Sequence, residues 1–405
     1  MLFPSIRLRR AALASAAPCG AGTAPPLSEH PKASPPDGIS PKYEFLDGMR
    51  GLASLYVLIH HIVLVAGDKL AGLSPWMGWT RHGIWAVSVF IVLSGYCLTL
   101  PLVQHDLRLP SWKLYFLRRA RRILPPYYAA LALAAAANWM FPEAYLHAGH
   151  NPGTTLGSQA AHLLLYHNLH PDWIYDLNGA FWSIATEWQI YLLFPLLILP
   201  VWRRLGVVLG LFFSAALGWS LVKLTGQFQA VYYFVGLFGL GQAAAILSRS
   251  RPPWLGAPAL GWTVGALLGT LLVLGALAPA LLSRRLWLEL NLVGLITAGF
   301  ILHSALRIAA GTPGPLVRLL ETKHVVGLGS FSYSLYLVHS PVLVLTHWLL
   351  LKEQPGSGDI WAYLLWSLAG SFVVAYGFYL LCERPLPRSV SPAQPSAPGL
   401  PASAS

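Results

Sequence analysis

Ten apolar stretches, each close to 20 residues long, dominate this sequence and limit what it can fold into. A membrane-spanning α-helix needs about 20 consecutive apolar residues. Only 10% of the residues are charged, whereas soluble domains carry about 25%. The sequence therefore predicts an all-α, polytopic membrane bundle of about ten transmembrane helices. The predicted spans are 45–66, 84–104, 124–141, 180–200, 205–223, 229–248, 259–282, 286–306, 325–350 and 360–382.

The two ends of the chain differ in composition from the predicted membrane domain, which we place at residues 43–385. Residues 1–42 and 386–405 are rich in Ala, Pro and Ser, a composition that is typical of disordered segments. We interpret them as a cytoplasmic leader and a cytoplasmic tail. The short apolar run Ala11–Ala17 leaves a targeting peptide as an alternative for the leader.

The distribution of basic residues predicts the orientation of the bundle. The segment 106–123 holds six Lys and Arg residues, whereas 142–179 holds none. Loops rich in Lys and Arg remain on the cytoplasmic side of a membrane. We therefore expect both termini to be cytoplasmic, in a bacterial inner membrane. The net charge of +12 then reflects topology and does not indicate a nucleic-acid partner.

The cysteines give no indication of a metal site or a disulfide framework. Cys19, Cys97 and Cys382 are scattered, without the paired spacing of zinc ligands. We therefore expect neither a bound metal nor a tightly bound cofactor.

The first predicted span carries a polar stripe. Asp47, Arg50, Ser54 and His61 are separated by 3, 4 and 7 residues, which places them on one helical face; His60 lies off that face. Ionisable residues inside a membrane are costly and usually mark function. The alternatives are that Asp47 and Arg50 form a structural ion pair, and that His61 is merely packed.

Two further spans carry polar faces. Ser183, Glu187 and Tyr191 recur every four residues in the fourth span, and Tyr336 and His339 share a face in the ninth. Helix rise places His61 and Glu187 at similar depths if each span begins at the membrane edge. A structural ion pair for Glu187 and a satisfied core histidine at position 339 remain the alternatives.

Four arginines precede the third span within one short run, Arg118-Arg119-Ala120-Arg121-Arg122. A topological anchor explains one or two of them. A cluster of four also suits a ligand with several phosphates, because guanidinium groups form bidentate contacts with phosphate.

Several of these residues lie in motifs that resemble the acyltransferase family 3 of membrane proteins. The likeness extends over about 43–385 and includes the histidine eleven residues after Arg50. The motifs are Phe45–Ala53, Val89–Tyr96, Arg118–Tyr127, Trp182–Tyr191, Ser332–His339 and Glu383–Pro385. Six motifs in the family's order make the resemblance specific.

The resemblance implies transfer of an acyl group, commonly acetyl, from acyl-CoA to a hydroxyl of a carbohydrate or related acceptor. It implies His61, Glu187 and Arg50 as catalytic residues, with Glu187 orienting His61. We expect Arg118, Arg119 and Arg122 to hold the acyl-CoA phosphates. Tyr336, His339, Ser183 and Tyr191 would contact substrate, with Asp47 and Ser54 as polar support.

The chain departs from the family pattern at two positions. Many members have an acidic residue where this chain has Ser88, and a second Glu where it has Trp188. These departures assign the acid role to Glu187. Without a hydrolase-like domain after the last span, we expect the membrane unit to act alone or with a glycan-assembly partner.

Two other classes of function remain as alternatives. A transporter would use buried charges as a proton or solute path, although no internal repeat of the kind found in many transporters is apparent. A non-catalytic membrane scaffold is the third interpretation. The sequence does not identify the acceptor or the acyl chain.

Overall fold

A computed structural model describes residues 43–67, 69–70, 78–148, 154–225, 233–277, 286–351 and 355–385. The predicted leader 1–42 and tail 386–405 lie outside these residues, as do 229–232 and 278–282 of two predicted spans. Within the described residues the secondary structure is helical, without strands, as the sequence predicts.

Fourteen α-helices follow one another in the described residues. They are α1 Glu44–Ala66, α2 Gly83–Val103, α3 Trp112–Met140, α4 Pro142–His147, α5 Leu156–Leu163, α6 Phe181–Leu193, α7 Leu199–Thr225, α8 Phe234–Ser250, α9 Ala257–Leu277, α10 Leu286–Ala309, α11 Pro315–Leu320, α12 Lys323–Ser330, α13 Ser332–Leu350 and α14 Ser357–Phe378. Short π-helical turns, Phe194–Ile198 and Tyr379–Glu383, follow α6 and α14.

Seven stretches of the described residues are long and apolar enough to span a membrane, which confirms a multi-pass bundle. The predicted spans 180–200 and 205–223 lie in a single 44-residue stretch, Phe181–Leu224. Gly206 interrupts that stretch with a φ of 77°, a left-handed conformation that a helix cannot continue through. The count of ten remains a prediction, since α3 and α8, which overlap the predicted spans 124–141 and 229–248, are not among the seven stretches.

The ninth predicted span begins later than expected. The range 325–350 contains two helices, α12 and α13, separated at Phe331. The sequence carries a signal for this break, because Gly and Ser residues surround Phe331 in the stretch 327–334.

Close backbone contacts hold α1 against the chain before α13. A Cβ on Gly48 would lie 2.1 Å from the Leu320 carbonyl oxygen, and one on Gly329 would lie 2.0 Å from the Asp47 carbonyl oxygen. Small residues allow helices to approach this closely inside membranes. The contacts fix the turn of α1 that carries Arg50.

A second close contact joins α2 and α8. A Cβ on Gly95 would lie 2.1 Å from the Phe238 carbonyl oxygen, and one on Gly241 would lie 2.0 Å from the Val92 carbonyl oxygen. Helix α2 runs antiparallel to α1, because Gly83 contacts the His60 ring while Cys97 contacts Arg50.

The segment 154–180 folds back into the bundle. The Tyr127 hydroxyl donates to the His162 carbonyl oxygen at 2.8 Å, and the Tyr127 ring lies 5.1 Å from that of Phe181, where α6 begins. Tyr127 is 13 residues before Met140, the end of α3, or about 20 Å along the helix. Helix α6 therefore begins about 20 Å along α3 from the end of that helix, and not level with its end, as the depth expectation assumed.

Two buried side-chain amides of this segment are hydrogen-bonded within the protein. The Asn178 side chain donates to the Leu337 carbonyl oxygen at 2.9 Å, and Asn168 donates to Thr186 Oγ1 at 3.0 Å. The His162 and His167 rings stack at 3.9 Å. Burial, with His162 beside it, lowers the pKa of His167 to about 3. His167 is therefore uncharged at neutral pH, as its burial requires.

Candidate functional site

A cavity of about 880 Å³, including the space at its opening, lies between α1, α2, α3, α6 and α13. Along α2 its lining runs from Val87 to Leu98, about 16 Å of helix. The residues that line it include most of the polar residues that the sequence singles out.

Arg50 occupies one end of the cavity. Its guanidinium donates to Asp47 Oδ1 at 2.7 Å and to Cys97 Sγ at 3.1 Å. The ion pair that the sequence leaves as an alternative is therefore present, and Arg50 also lines the cavity. Asp47 holds the guanidinium in place from one turn away on the same helix.

Two further arginines, Arg119 and Arg122, line the same end. The Arg119 guanidinium lies 6.0 Å from the centre of the Tyr191 ring, within range of a cation–π contact. Together with Arg50 these residues bring three positive charges to a lining whose one carboxylate, among the described residues, is Glu187. We call this part of the cavity the arginine end. It suits a ligand with several negative charges.

Arg118, which the sequence groups with this cluster, is exposed and is not among the residues that line the cavity. The same holds for Arg121. Helical spacing separates the four arginines, so the run contributes two of its members to the site.

Glu187 belongs to the arginine end. Ser94 Oγ donates to its Oε1 at 2.6 Å, and the Tyr191 hydroxyl donates to the same oxygen. Ser94 is three residues from Cys97, which contacts Arg50. These two hydroxyls orient the carboxylate.

His61 and His339 form a pair beyond the other end of the cavity, and neither is among the residues that line it. His339 Nε2 lies 3.2 Å from His61 Nδ1. His339 Nδ1 lies 3.0 Å from the Leu335 carbonyl oxygen and His61 Nδ1 lies 3.0 Å from that of Val57. Because carbonyl oxygens only accept, both neutral rings carry their proton on Nδ1. The basic nitrogen of His61 is then Nε2.

Tyr336 lies between the cavity and this pair. It lines the cavity, its hydroxyl is 2.6 Å from Ser183 Oγ, and its ring lies 6.0 Å from that of His339. Val87, at the far end of the cavity, is four residues from Gly83, which contacts the ring of His60. The cavity therefore extends to within about one helical turn of His61.

The depths of Glu187 and His61 differ from the expectation. His61 is eleven residues beyond Arg50 on α1, about 16 Å along the helix, whereas Glu187 lies close to the depth of Arg50. The expectation assumed that α6 begins at the membrane edge. The hydrogen bonds that the structure shows for Glu187 go to Ser94 and Tyr191, and His339 contacts His61.

Two other residues of the first span occupy different surroundings. Ser54 Oγ donates to the Gly51 carbonyl oxygen at 2.8 Å within its own helix, so its contact is local. His60 Nδ1 lies 2.7 Å from the Thr80 carbonyl oxygen. His60 therefore faces another part of the bundle, as its position off the polar stripe predicts.

Cys97, Tyr333 and Ser94 also line the cavity, and the sequence patterns did not single them out. Ser94 lies in a motif of the resemblance, which was a usable signal, while Cys97 stands in an apolar run without one. In the described residues no group of three or more His, Cys, Asp or Glu side chains is arranged to hold a metal ion.

Comparison with known proteins adds a family match. The family profile described as an acyltransferase domain matches residues 43–381. No solved structure matches the chain.

Three bacterial relatives are similar over 84% of the chain. The peptidoglycan O-acetyltransferase OatA of Listeria monocytogenes is 24% identical, with 55% of its length covered. The putative membrane-bound transacylase BcsY of Komagataeibacter xylinus is 27% identical, with 81% covered. The putative peptidoglycan O-acetyltransferase YrhL of Bacillus subtilis is 26% identical, with 54% covered. The chain thus spans about half the length of two of these relatives.

Proposed function

We propose that this chain, which belongs to the acyltransferase 3 family and is a multi-pass membrane protein, is an O-acyltransferase that takes an acyl group, most simply acetyl, from acyl-CoA. We propose further that the acceptor is a hydroxyl group of a carbohydrate. The relatives named as peptidoglycan O-acetyltransferases support an acceptor of this class.

The observation that carries the donor proposal is the separation between the charged end of the cavity and the histidine pair beyond its other end. Three guanidiniums line one end, and the His61–His339 pair lies about 16 Å further along α1. Acyl-CoA has the same layout, because an extended pantetheine arm separates its phosphates from its thioester. Phosphates at Arg119 and Arg122 would direct the thioester towards Tyr336 and His61.

In the proposed reaction His61 acts as a general base through Nε2. It accepts the proton of the acceptor hydroxyl while the hydroxyl oxygen attacks the thioester carbonyl carbon. A C–O bond forms, the C–S bond breaks, and the CoA thiolate leaves and receives the proton. His339 holds the His61 ring through the 3.2 Å contact. Tyr336 and Ser183 line the acceptor side.

Glu187 has a different role in this proposal from the one that the resemblance suggests. Its contacts to Ser94 and Tyr191 place it beside the guanidiniums and not beside His61. We assign it to the positioning of Tyr191, over which Arg119 lies. Arg50, paired with Asp47, completes the donor end.

We further propose that the donor binds from the cytoplasm of a bacterial cell, at the inner membrane, with both termini on that side. The basic segment 106–123 leads directly into the helix that carries Arg119 and Arg122, which supports this orientation.

A direct test uses purified protein in lipid nanodiscs with acetyl-CoA labelled in the acetyl group. The proposal predicts labelled ester on a peptidoglycan or exopolysaccharide oligosaccharide, with equimolar release of free CoA thiol. Purified protein that is folded and releases no thiol with any oligosaccharide tested would contradict the donor assignment.

A further inference from the structure

A second concavity opens beside the arginine end. It is lined by Arg108 and Trp112 from the start of α3 and the segment before it, and by Pro195, Leu199 and Arg203 from the π-helical turn and α7. We call it the groove. Its empty space is about 510 Å³, counting the open side.

The groove combines one exposed aromatic ring with two positive charges. Trp112 is 48% exposed, and Arg108 and Arg203 are exposed at the rim. Leu199 and Pro195 are buried and form an apolar floor. No carboxylate stands among the described residues that line it. Such a lining suits a planar aromatic group that bears phosphate, because the indole stacks and the guanidiniums pair with anions.

Two chain segments connect the groove to the cavity. Helix α3 carries Trp112 in the groove and Arg119 in the cavity, seven residues apart, or about 10 Å along the helix. Tyr191 of the cavity and Pro195 of the groove are four residues apart on continuous helix. The groove therefore lies one to two turns beyond the arginine end, on the side away from His61.

The chain leading into the groove has an unusual backbone. Asp106 and Leu107 both have positive φ, 50° and 55°, a conformation that non-glycine residues rarely adopt. Helix α3 then begins at the groove, with the Ser111 hydroxyl accepting from Leu114 N at 3.2 Å. A helix start adds a further partial positive charge near Trp112.

We propose that the groove binds the adenosine 3′-phosphate end of the acyl-CoA donor. The proposal rests on the donor assignment above and extends it to a separate subsite. In acyl-CoA the diphosphate lies between the pantetheine arm and the phosphorylated nucleoside. With the diphosphate at Arg119 and Arg122, the nucleoside extends away from His61 and reaches the groove. Trp112 stacks on the adenine, and Arg108 and Arg203 pair with the 3′-phosphate.

The alternative is that the same residues form a membrane-interface site. Trp and Arg are also enriched where helices meet lipid headgroups, and an anionic headgroup shares the phosphate chemistry. The nucleotide is favoured because the groove is concave and because its lining residues lie one to two helical turns from cavity-lining residues on the same two chain segments. The two ligands are distinguished by donors that differ only at the nucleotide end.

The test compares three donors with wild-type protein and with Arg108→Gln, Arg203→Gln and Trp112→Ala. The donors are acetyl-CoA, 3′-dephospho-acetyl-CoA and acetyl-pantetheine. Each Arg variant is expected to raise the KM for acetyl-CoA about tenfold or more, with a smaller effect on the dephospho donor and none on acetyl-pantetheine. Trp112→Ala should raise the KM for both nucleotide donors. Arg204→Gln, adjacent but outside the groove lining, is the matched control.

Binding of adenosine 3′,5′-bisphosphate provides a measurement that does not depend on turnover. This compound should compete with labelled CoA on wild-type protein and lose affinity in Arg203→Gln, with Arg204→Gln unchanged. Three outcomes would each overturn the groove assignment. They are a KM change for acetyl-pantetheine equal to that for acetyl-CoA, unchanged KM values in folded variants, and a defect that varies only with the anionic lipid content of the nanodisc. If wild-type protein uses acetyl-CoA and the groove variants behave normally, the groove assignment is rejected and the acyl-CoA donor assignment is retained. If the protein neither uses nor binds CoA, both the groove assignment and the donor assignment are rejected.

Discussion

At the scale of single residues, the imidazole pair gives His61 a defined chemical state. Nδ1 of each ring faces a carbonyl oxygen of its own helix, so each neutral ring presents Nε2 as its acceptor. His339 Nε2 is directed at His61 Nδ1, so the basic lone pair of the neutral His61 ring is the one on Nε2. A base held by a neighbouring side chain is the arrangement that general-base catalysis needs.

Replacing His61 with Ala is therefore expected to lower acyl transfer by at least 100-fold, within the usual contribution of a general base. His60→Ala is the matched control, because His60 contacts the Thr80 carbonyl oxygen instead. Initial rates at equal amounts of folded protein measure both. Similar losses in the two variants would remove the distinction between the adjacent histidines.

The second residue-scale prediction concerns Glu187. Glu187→Gln keeps the shape but removes the negative charge, so the hydrogen bonds from Ser94 and Tyr191 to this side chain are no longer charge-assisted. We expect the KM for acetyl-CoA to rise about tenfold, the order of one lost hydrogen bond to a charged group. The pH profile of kcat is expected to keep its shape. A shifted profile with an unchanged donor KM would instead tie Glu187 to His61.

At the scale of helices, glycines at two seams set how the elements approach. Gly329 of α12 lies against the backbone of Asp47 in α1, whereas Gly327, two residues earlier, faces open space. Substitutions at Gly329 and Gly327 can therefore be compared within one helix. The α1 seam matters for function because it supports the turn that carries Arg50.

Gly329→Ala is accordingly expected to destabilise the protein, since its Cβ would lie 2.0 Å from a backbone oxygen. Forcing a methyl group into a packed site costs about 1–3 kcal/mol. Gly327→Ala should leave the melting temperature in detergent unchanged or slightly raised. Equal melting temperatures for the two variants would show that the contact between α1 and α12 accommodates the added methyl group.

The sequence predicts helices and polar faces well because both depend on local spacing. The stripe of Asp47, Arg50 and His61 needs only helical periodicity. The His61–His339 contact joins residues 278 positions apart, and no local pattern encodes it. The depth of Glu187 was mispredicted for a related reason, since the segment 154–180 folds back through long-range contacts such as Asn178 to Leu337.

At the scale of the whole molecule, the proposed function depends on which side of the membrane each end of the cavity faces. The arginine end must face the cytoplasm, where acyl-CoA is made, and the acceptor must approach from the other end. The uneven distribution of Lys and Arg in the loops predicts this orientation.

Cysteine labelling on intact cells measures that orientation. In a background without the native cysteines, Leu146→Cys, at a position 61% exposed, should react with a membrane-impermeant maleimide. His105→Cys, exposed at the end of α2, should react only after the cells are permeabilised. The reverse pattern would place the arginine end outside and contradict the cytoplasmic donor.

The proposed function separates donor binding at the arginine end of the cavity from chemistry at His61, about one helical turn beyond its other end. Equilibrium binding of labelled CoA, measured together with acetyl transfer, tests it most directly. His61→Ala should bind CoA like wild type and transfer no acetyl. The double variant Arg119→Gln and Arg122→Gln should bind CoA at least tenfold more weakly, with kcat at saturating donor largely retained, while Arg121→Gln behaves as wild type. Normal CoA binding in the double variant, or lost CoA binding in His61→Ala, would contradict this separation of donor binding from chemistry.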